Sequence, residues 1–109
     1  MVPGFRSFSM RHVLIYTARM MEIEAIVTGK VQGVSYRAFV DDAAVKLGLT
    51  GYTHNNADGT VSVVAQGETE TLKEFVEWLH EGSLMSAVAG VDISWRSPEK
   101  TYHDFSVLH

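Results

Sequence analysis

Apolar positions along the chain alternate between a strand-like repeat of two and a helix-like repeat of three to four, and the switches outline a small α+β domain. Glu22–Thr28 is β-branched and partly alternating, which predicts a strand. Gly29 and Gly33 interrupt it. Phe39, Val40, Ala43, Ala44 and Leu47 then share one helical face, predicting a helix with Ser35 as N-cap that runs to about Leu47 and stops at Gly48. Thr50–Asn55 and Thr60–Gln66 read as the arms of a hairpin around Asn56-Ala57-Asp58-Gly59, where Asp-Gly supplies the turn. Leu72, Phe75, Val76 and Leu79 fall at i, i+3, i+4 and i+7 and predict a second helix over Thr69–Glu81, ended by Gly82. Thr71-x-x-Glu74 resembles a capping box one step inside that helix. Val88–Trp95 and Tyr102–Leu108 read as two further strands, with Pro98 in the loop between them. The order β-α-β-β-α-β matches the ferredoxin-like plan, a four-stranded antiparallel sheet with two helices on one face. Such folds serve binding, regulatory and enzymatic proteins alike, so function has to be read from the site.

Residues 1–20 follow a different pattern. They carry Arg6, Arg11 and Arg19 and no acid, and the apolar run Val13–Ile15 is too short, and too soon broken by Tyr16, Thr17 and Arg19, for a secretory signal. With Met10, Met20 and Met21 all able to serve as starts, residues 1–20 read as an N-terminal extension, native or not, and residues 21–109 as the domain. Residues 13–17 have the composition to add an edge strand. At 109 residues the chain has room for one core, and no apolar run approaches the roughly 18 residues of a membrane span.

Charge and composition narrow the chemistry. The local balance is +3 over residues 1–20 and −7 over the remainder, for a net charge of −4. A domain this acidic does not suit a polyanion backbone, so nucleic acid is not expected as a partner. One small anion can still be held where positive charge is local. The chain has no cysteine, which removes disulfides, thiolate metal sites and cysteine-nucleophile chemistry and fits a cytoplasmic protein. The five histidines show no metal-ligand spacing, and His12, His80, His103 and His109 read as surface residues. Trp78 and Trp95 read as packing residues, and Asp41 and Asp42 as a solvated helix face.

The loop Gly29-Lys30-Val31-Gln32-Gly33-Val34 leaves a strand and opens a helix, a place where free N–H groups and the helix dipole favour an anion. Glycines let successive N–H groups converge. Arg37, in the first turn of the helix, can reach back with a planar fork that matches two phosphate oxygens. Taken alone, these residues also fit an ordinary turn beside a solvated arginine, with Lys30 as a solvated loop lysine. The loop is not a nucleotide-binding Walker loop, because no Lys-Ser/Thr pair follows the second glycine.

Gly29-Lys30-Val31-Gln32-Gly33-Val34-Ser35-Tyr36-Arg37 resembles the acylphosphatase signature G-x-V-Q-G-V-x-F/Y-R. Gly51-Tyr52-Thr53-His54-Asn55-Asn56-Ala57-Asp58-Gly59-Thr60-Val61 resembles the second signature of that family, and the similarity extends from about Glu22 to His109. Two departures stand out: Thr53-His54, where a small apolar residue and a Lys or Arg are commoner, and Ser83, where proline is common. The resemblance implies that Arg37 and the backbone N–H groups of Gln32, Gly33, Val34, Ser35, Tyr36 and Arg37 bind a phosphoryl group. It also implies that Asn55 orients a water for in-line attack, with no metal and no cofactor, releasing inorganic phosphate from a small acyl phosphate. A cytoplasmic monomer is expected. By itself Asn55 reads rather as a hairpin asparagine serving local backbone groups. Strand alternation lets only one of His54 and Asn55 face the loop, and the family alignment selects Asn55. The competing readings are a binding module of the same fold that holds the anion without turnover, and a nucleic-acid module that the −7 balance disfavours.

Overall fold

The computed structural model describes residues 20–109, so the candidate edge strand at 13–17 lies outside the described residues. The elements are β1 (Met20–Lys30), α1 (Tyr36–Lys46), β2 (Thr50–Asn55), β3 (Val61–Glu68), α2 (Thr69–Glu81), β4 (Ala87–Arg96) and β5 (Phe105–Leu108). β1 and β4 extend beyond the sequence expectation at both ends, and β5 starts three residues later than expected. The sheet order is β4-β1-β3-β2-β5. Each neighbouring pair among the first four strands in that order is antiparallel, as the ferredoxin-like plan requires. The count of four strands needs correction, because β5 adds a fifth at the edge, parallel to β2. The physical reason lies in the route of the chain. After β4 it crosses the sheet from one edge to the other and arrives beside β2 running the same way.

Register sets which side chains are buried. Ile23, Ala25 and Val27 of β1 stand opposite Ala65, Val63 and Val61 of β3, and all six are fully buried on one face. Leu72, Phe75 and Leu79 of α2 and Tyr36, Val40 and Ala44 of α1 close over that face. These six helical side chains, each at most 1 % exposed, seal the core, and each fully buried aliphatic or aromatic group of this size contributes about 1.5–3 kcal/mol. Phe39, Ala43, Leu47 and Val76 pack against the same core at its margin. The two tryptophans do not sit in it. Trp78 and Trp95 are 40 % and 42 % exposed, Trp78 on the flank of α2 beside Phe39 and Trp95 near the end of edge strand β4.

The helix ends also differ in part from expectation. α1 closes as predicted, with Gly48 at φ 72° donating to Val45 O and Leu49 donating to Ala44 O, the paired bonds of a Schellman stop. Ser35 occupies the N-cap position of α1 but makes no side-chain cap bond, and α2 starts at Thr69 without a capping box. Thr71 is the third residue of α2, within the first turn and not at the position before it from which a side chain caps the free N–H groups.

The crossing segment is held by a polar cluster on the outer sheet face. Gln66, 3 % exposed, donates to Glu22 Oε1 at 2.7 Å and to Lys100 O at 2.6 Å, and accepts from Tyr102 N at 3.1 Å. Glu22 in turn pairs with Arg96. This cluster turns the chain toward β5 and explains why residues 102–104 are not strand. We expect Gln66→Ala to lower the unfolding free energy by about 1–3 kcal/mol, because the buried Tyr102 N–H loses its acceptor and Glu22 a donor. Urea denaturation followed by tryptophan fluorescence measures the loss.

Candidate active site

The loop between β1 and α1 supplies the first half of the site. Gly33 adopts φ 72° and Ser35 φ 63°, so two residues of the turn lie in the left-handed region. Glycine takes this conformation freely, whereas at Ser35 it costs about 1 kcal/mol. Backbone strain of this kind is characteristic of a loop shaped for binding. The first intrahelical donor of α1 is Phe39, whose N–H reaches Ser35 O at 3.0 Å. The N–H groups of Tyr36, Arg37 and Ala38 therefore have no acceptor within the helix. No acidic residue occupies the first turn of α1, so the positive end of its dipole is not neutralised by its own sequence.

Several side chains brace this loop. Gln32 Nε2 donates to Asn56 O at 2.8 Å and to Thr60 O at 2.9 Å, tying the loop to the β2–β3 turn. Ser83 Oγ donates to Val34 O at 3.0 Å, a bond that proline at this position could not make. Tyr36 is buried and donates to Leu79 O at 2.7 Å, so only its backbone can face an anion. Burial pushes its phenol above the ordinary range.

β2 supplies the second half. Gly51, Thr53 and Asn55 stand opposite Ala65, Val63 and Val61 on the helix-bearing face, and Thr50, Tyr52 and His54 look the other way. Asn55 thus points to the same side as α1, and His54 lies beside Tyr52 on the outer face. The departure at Thr53 is accommodated in the core, where its hydroxyl donates to Ser62 O at 3.0 Å. Asn56, not Asn55, serves the turn, donating to Thr60 Oγ1 and Ser62 Oγ at 2.8 Å each. Asn55 is exposed and takes no part in those turn bonds.

Arg37 and Asn55 come together in one cleft of about 270 Å³, lined also by Gly33, Ser35, Val107 and His109. Arg37 Nη1 donates to Leu108 O at 2.9 Å, which fixes one arm of the guanidinium and leaves its remaining N–H groups for a ligand. None of the ion pairs among the described residues involves Arg37. Gln32 and Val34 line no wall of this cleft; their contacts brace it from behind. Val107 and His109 were not read from sequence as site residues, although alternation from the buried Phe105 places Val107 on the helix-bearing side, with His109 just past the end of β5. Among the described residues no three His, Cys, Asp or Glu gather to hold a metal ion. No described helix is long and apolar enough to cross a membrane.

The sequence model of the acylphosphatase family matches residues 23–107. An acylphosphatase of Dehalococcoides mccartyi is 43 % identical over 88 residues, covering 80 % of this chain and 97 % of the relative. One from Thermus thermophilus is 45 % identical over 76 residues, covering 70 % and 86 %. The crystal structure of acylphosphatase from Bacillus subtilis superposes with a TM-score of 0.80 at 35 % identity, covering 82 % of this chain and 99 % of that one.

The brace between loop and turn is testable. Gln32→Ala removes two bonds whose acceptors keep other partners, Gly59 N–H on Asn56 O and Asn56 N–H on Thr60 O. Global stability is expected to fall by only about 1–2 kcal/mol. Hydrogen exchange is expected to rise selectively at the loop amides of residues 32–36, as measured by NMR.

Proposed function

This chain belongs to the acylphosphatase family, and we propose that it hydrolyses the carboxyl–phosphate bond of small acyl phosphates through the cleft between Arg37 and Asn55. The observation that carries the reading is the meeting of two groups of different chemistry at one opening. Arg37 and the N–H groups at the start of α1 suit the phosphoryl oxygens. Asn55, aligned on the same face and not engaged in the turn, suits a water molecule.

The division of labour follows from the reaction. An acyl phosphate departs as a carboxylate, whose conjugate acid has a pKa near 4, so the leaving group requires little protonation. Phosphoryl transfer passes through a loose transition state with charge spread over the equatorial oxygens. Fixed donors aimed at those oxygens stabilise that charge without reorganising, and Arg37 is held for this by its bond to Leu108 O. Asn55 is a neutral amide at all accessible pH values. It orients water through its carbonyl or amide group and takes no proton, which passes to phosphate or solvent. Water attacks phosphorus in line, the P–O bond to the acyl group breaks, and carboxylate and inorganic phosphate leave. The scheme calls on no metal and no cofactor. The 97 % coverage of a stand-alone relative supports a self-sufficient domain.

Benzoyl phosphate hydrolysis in buffer containing a chelator tests the reading. The parent is expected to turn over without added metal. Arg37→Ala and Asn55→Ala are each expected to lose about 100-fold or more, with saturation impaired mainly in Arg37→Ala. A folded parent that binds phosphate without hydrolysing the substrate would instead make this domain an anion-binding module.

A further inference from the structure

A further polar residue lines the cleft from the sheet edge. β5 runs parallel to β2 with Gly51 beside Phe105 and Thr53 beside Val107. Phe105 and Thr53 are buried on the helix-bearing side, so this pair of positions repeats every second residue on that face. The register ends with His54 beside Leu108, and His109, the next residue, lines the same cleft as Arg37 and Asn55. The Arg37 bond to Leu108 O holds the backbone immediately before it.

We infer that His109 is a further substrate-binding side chain, its imidazole N–H donating to a phosphoryl oxygen of the acyl phosphate held by Arg37. The inference rests on the function proposed above and adds a contact to it. A phosphoryl group presents several oxygens, and the loop amides and Arg37 approach them from the α1 side. From the β5 side the cleft offers only Val107, which is apolar, and His109. The other titratable groups lining the cleft are the Arg37 guanidinium and the Tyr36 phenol of α1, the latter committed to Leu79 O. Among the described residues no Asp or Glu side chain lines it. A neutral imidazole donates from one nitrogen and an imidazolium from both, so the contact is available in either state. An added donor on the phosphoryl group strengthens substrate and product phosphate alike, which affects binding more than turnover.

The test compares the parent with His109→Ala, His109→Gln and Arg37→Ala at neutral pH, measuring benzoyl phosphate kinetics and inhibition by inorganic phosphate. His109→Ala is expected to raise KM and the phosphate inhibition constant together by about 3- to 10-fold, with kcat within about 2-fold of the parent. His109→Gln, which keeps an N–H donor, is expected to recover most of both. Unchanged KM and inhibition constant in His109→Ala, or a loss that glutamine does not restore, would overturn the inference. If Arg37→Ala turns over like the parent, the functional reading itself fails; if only Arg37→Ala is impaired, that reading stands and the His109 contact alone is rejected. His109 is exposed, so its replacement is not expected to disturb folding, and thermal melting checks this.

Discussion

The Gln32 side-chain amide spends both of its N–H groups on the carbonyls of Asn56 and Thr60, and the geometry of the cleft depends on that bridge. The glycine-bearing loop belongs to the β1–α1 connection and Asn55 to the end of β2. Nothing in the strand ladder alone fixes the gap between them, because β3 lies between β1 and β2. A side chain that reaches from the loop to the hairpin turn sets the separation directly. Ser83 supports the loop from the opposite side, through Val34 O. The loop is thus held at two points by side chains, through Gln32 and through Val34 O.

The same economy appears at the sheet edge. Arg37 needs one fixed arm if the rest of its fork is to meet a ligand in a constant orientation, and Leu108 O provides it. That carbonyl is in place because β5 lies parallel to β2, and β5 is delivered there by the crossing segment that Gln66 pins to the outer face. A buried glutamine on one side of the sheet therefore helps orient an arginine on the other. Such chains of contact explain why a site with few functional side chains requires most of a small domain.

Much of this was legible in the sequence where the signals are local. The hairpin with its Asp-Gly turn and the helix Thr69–Glu81 follow from turn chemistry and periodicity; the structure has the helix and the first arm with the same limits, and the second arm at Val61–Glu68 where Thr60–Gln66 was expected. The alternation on β2 correctly separated Asn55 from His54, since parity is an intrinsic property of a strand. The placement of β5 was not legible. Alternation of Phe105 and Val107 says that one face is buried but not which strand lies alongside, and parallel pairing depends on the route of a distant connection. For the same reason His109, exposed as expected, could not be placed at the cleft from sequence. Gln32 belongs to a recognisable motif, yet the motif does not reveal that its side chain braces the hairpin. The two capping expectations failed because a Ser or Thr near a helix start forms a cap only when the backbone presents an N–H to it. Ser35 is instead turned into the left-handed region by the loop.

If the N–H groups at the start of α1 and the Arg37 guanidinium form one phosphoryl site facing Asn55, inorganic phosphate titrated into the 15N-labelled chain will report it in the amide resonances followed by NMR. The largest saturable shifts are expected at Gly33 to Ala38, with smaller ones at Asn55, all lost in Arg37→Ala. Saturable shifts centred elsewhere, or shifts at the loop that persist unchanged in Arg37→Ala, would contradict it.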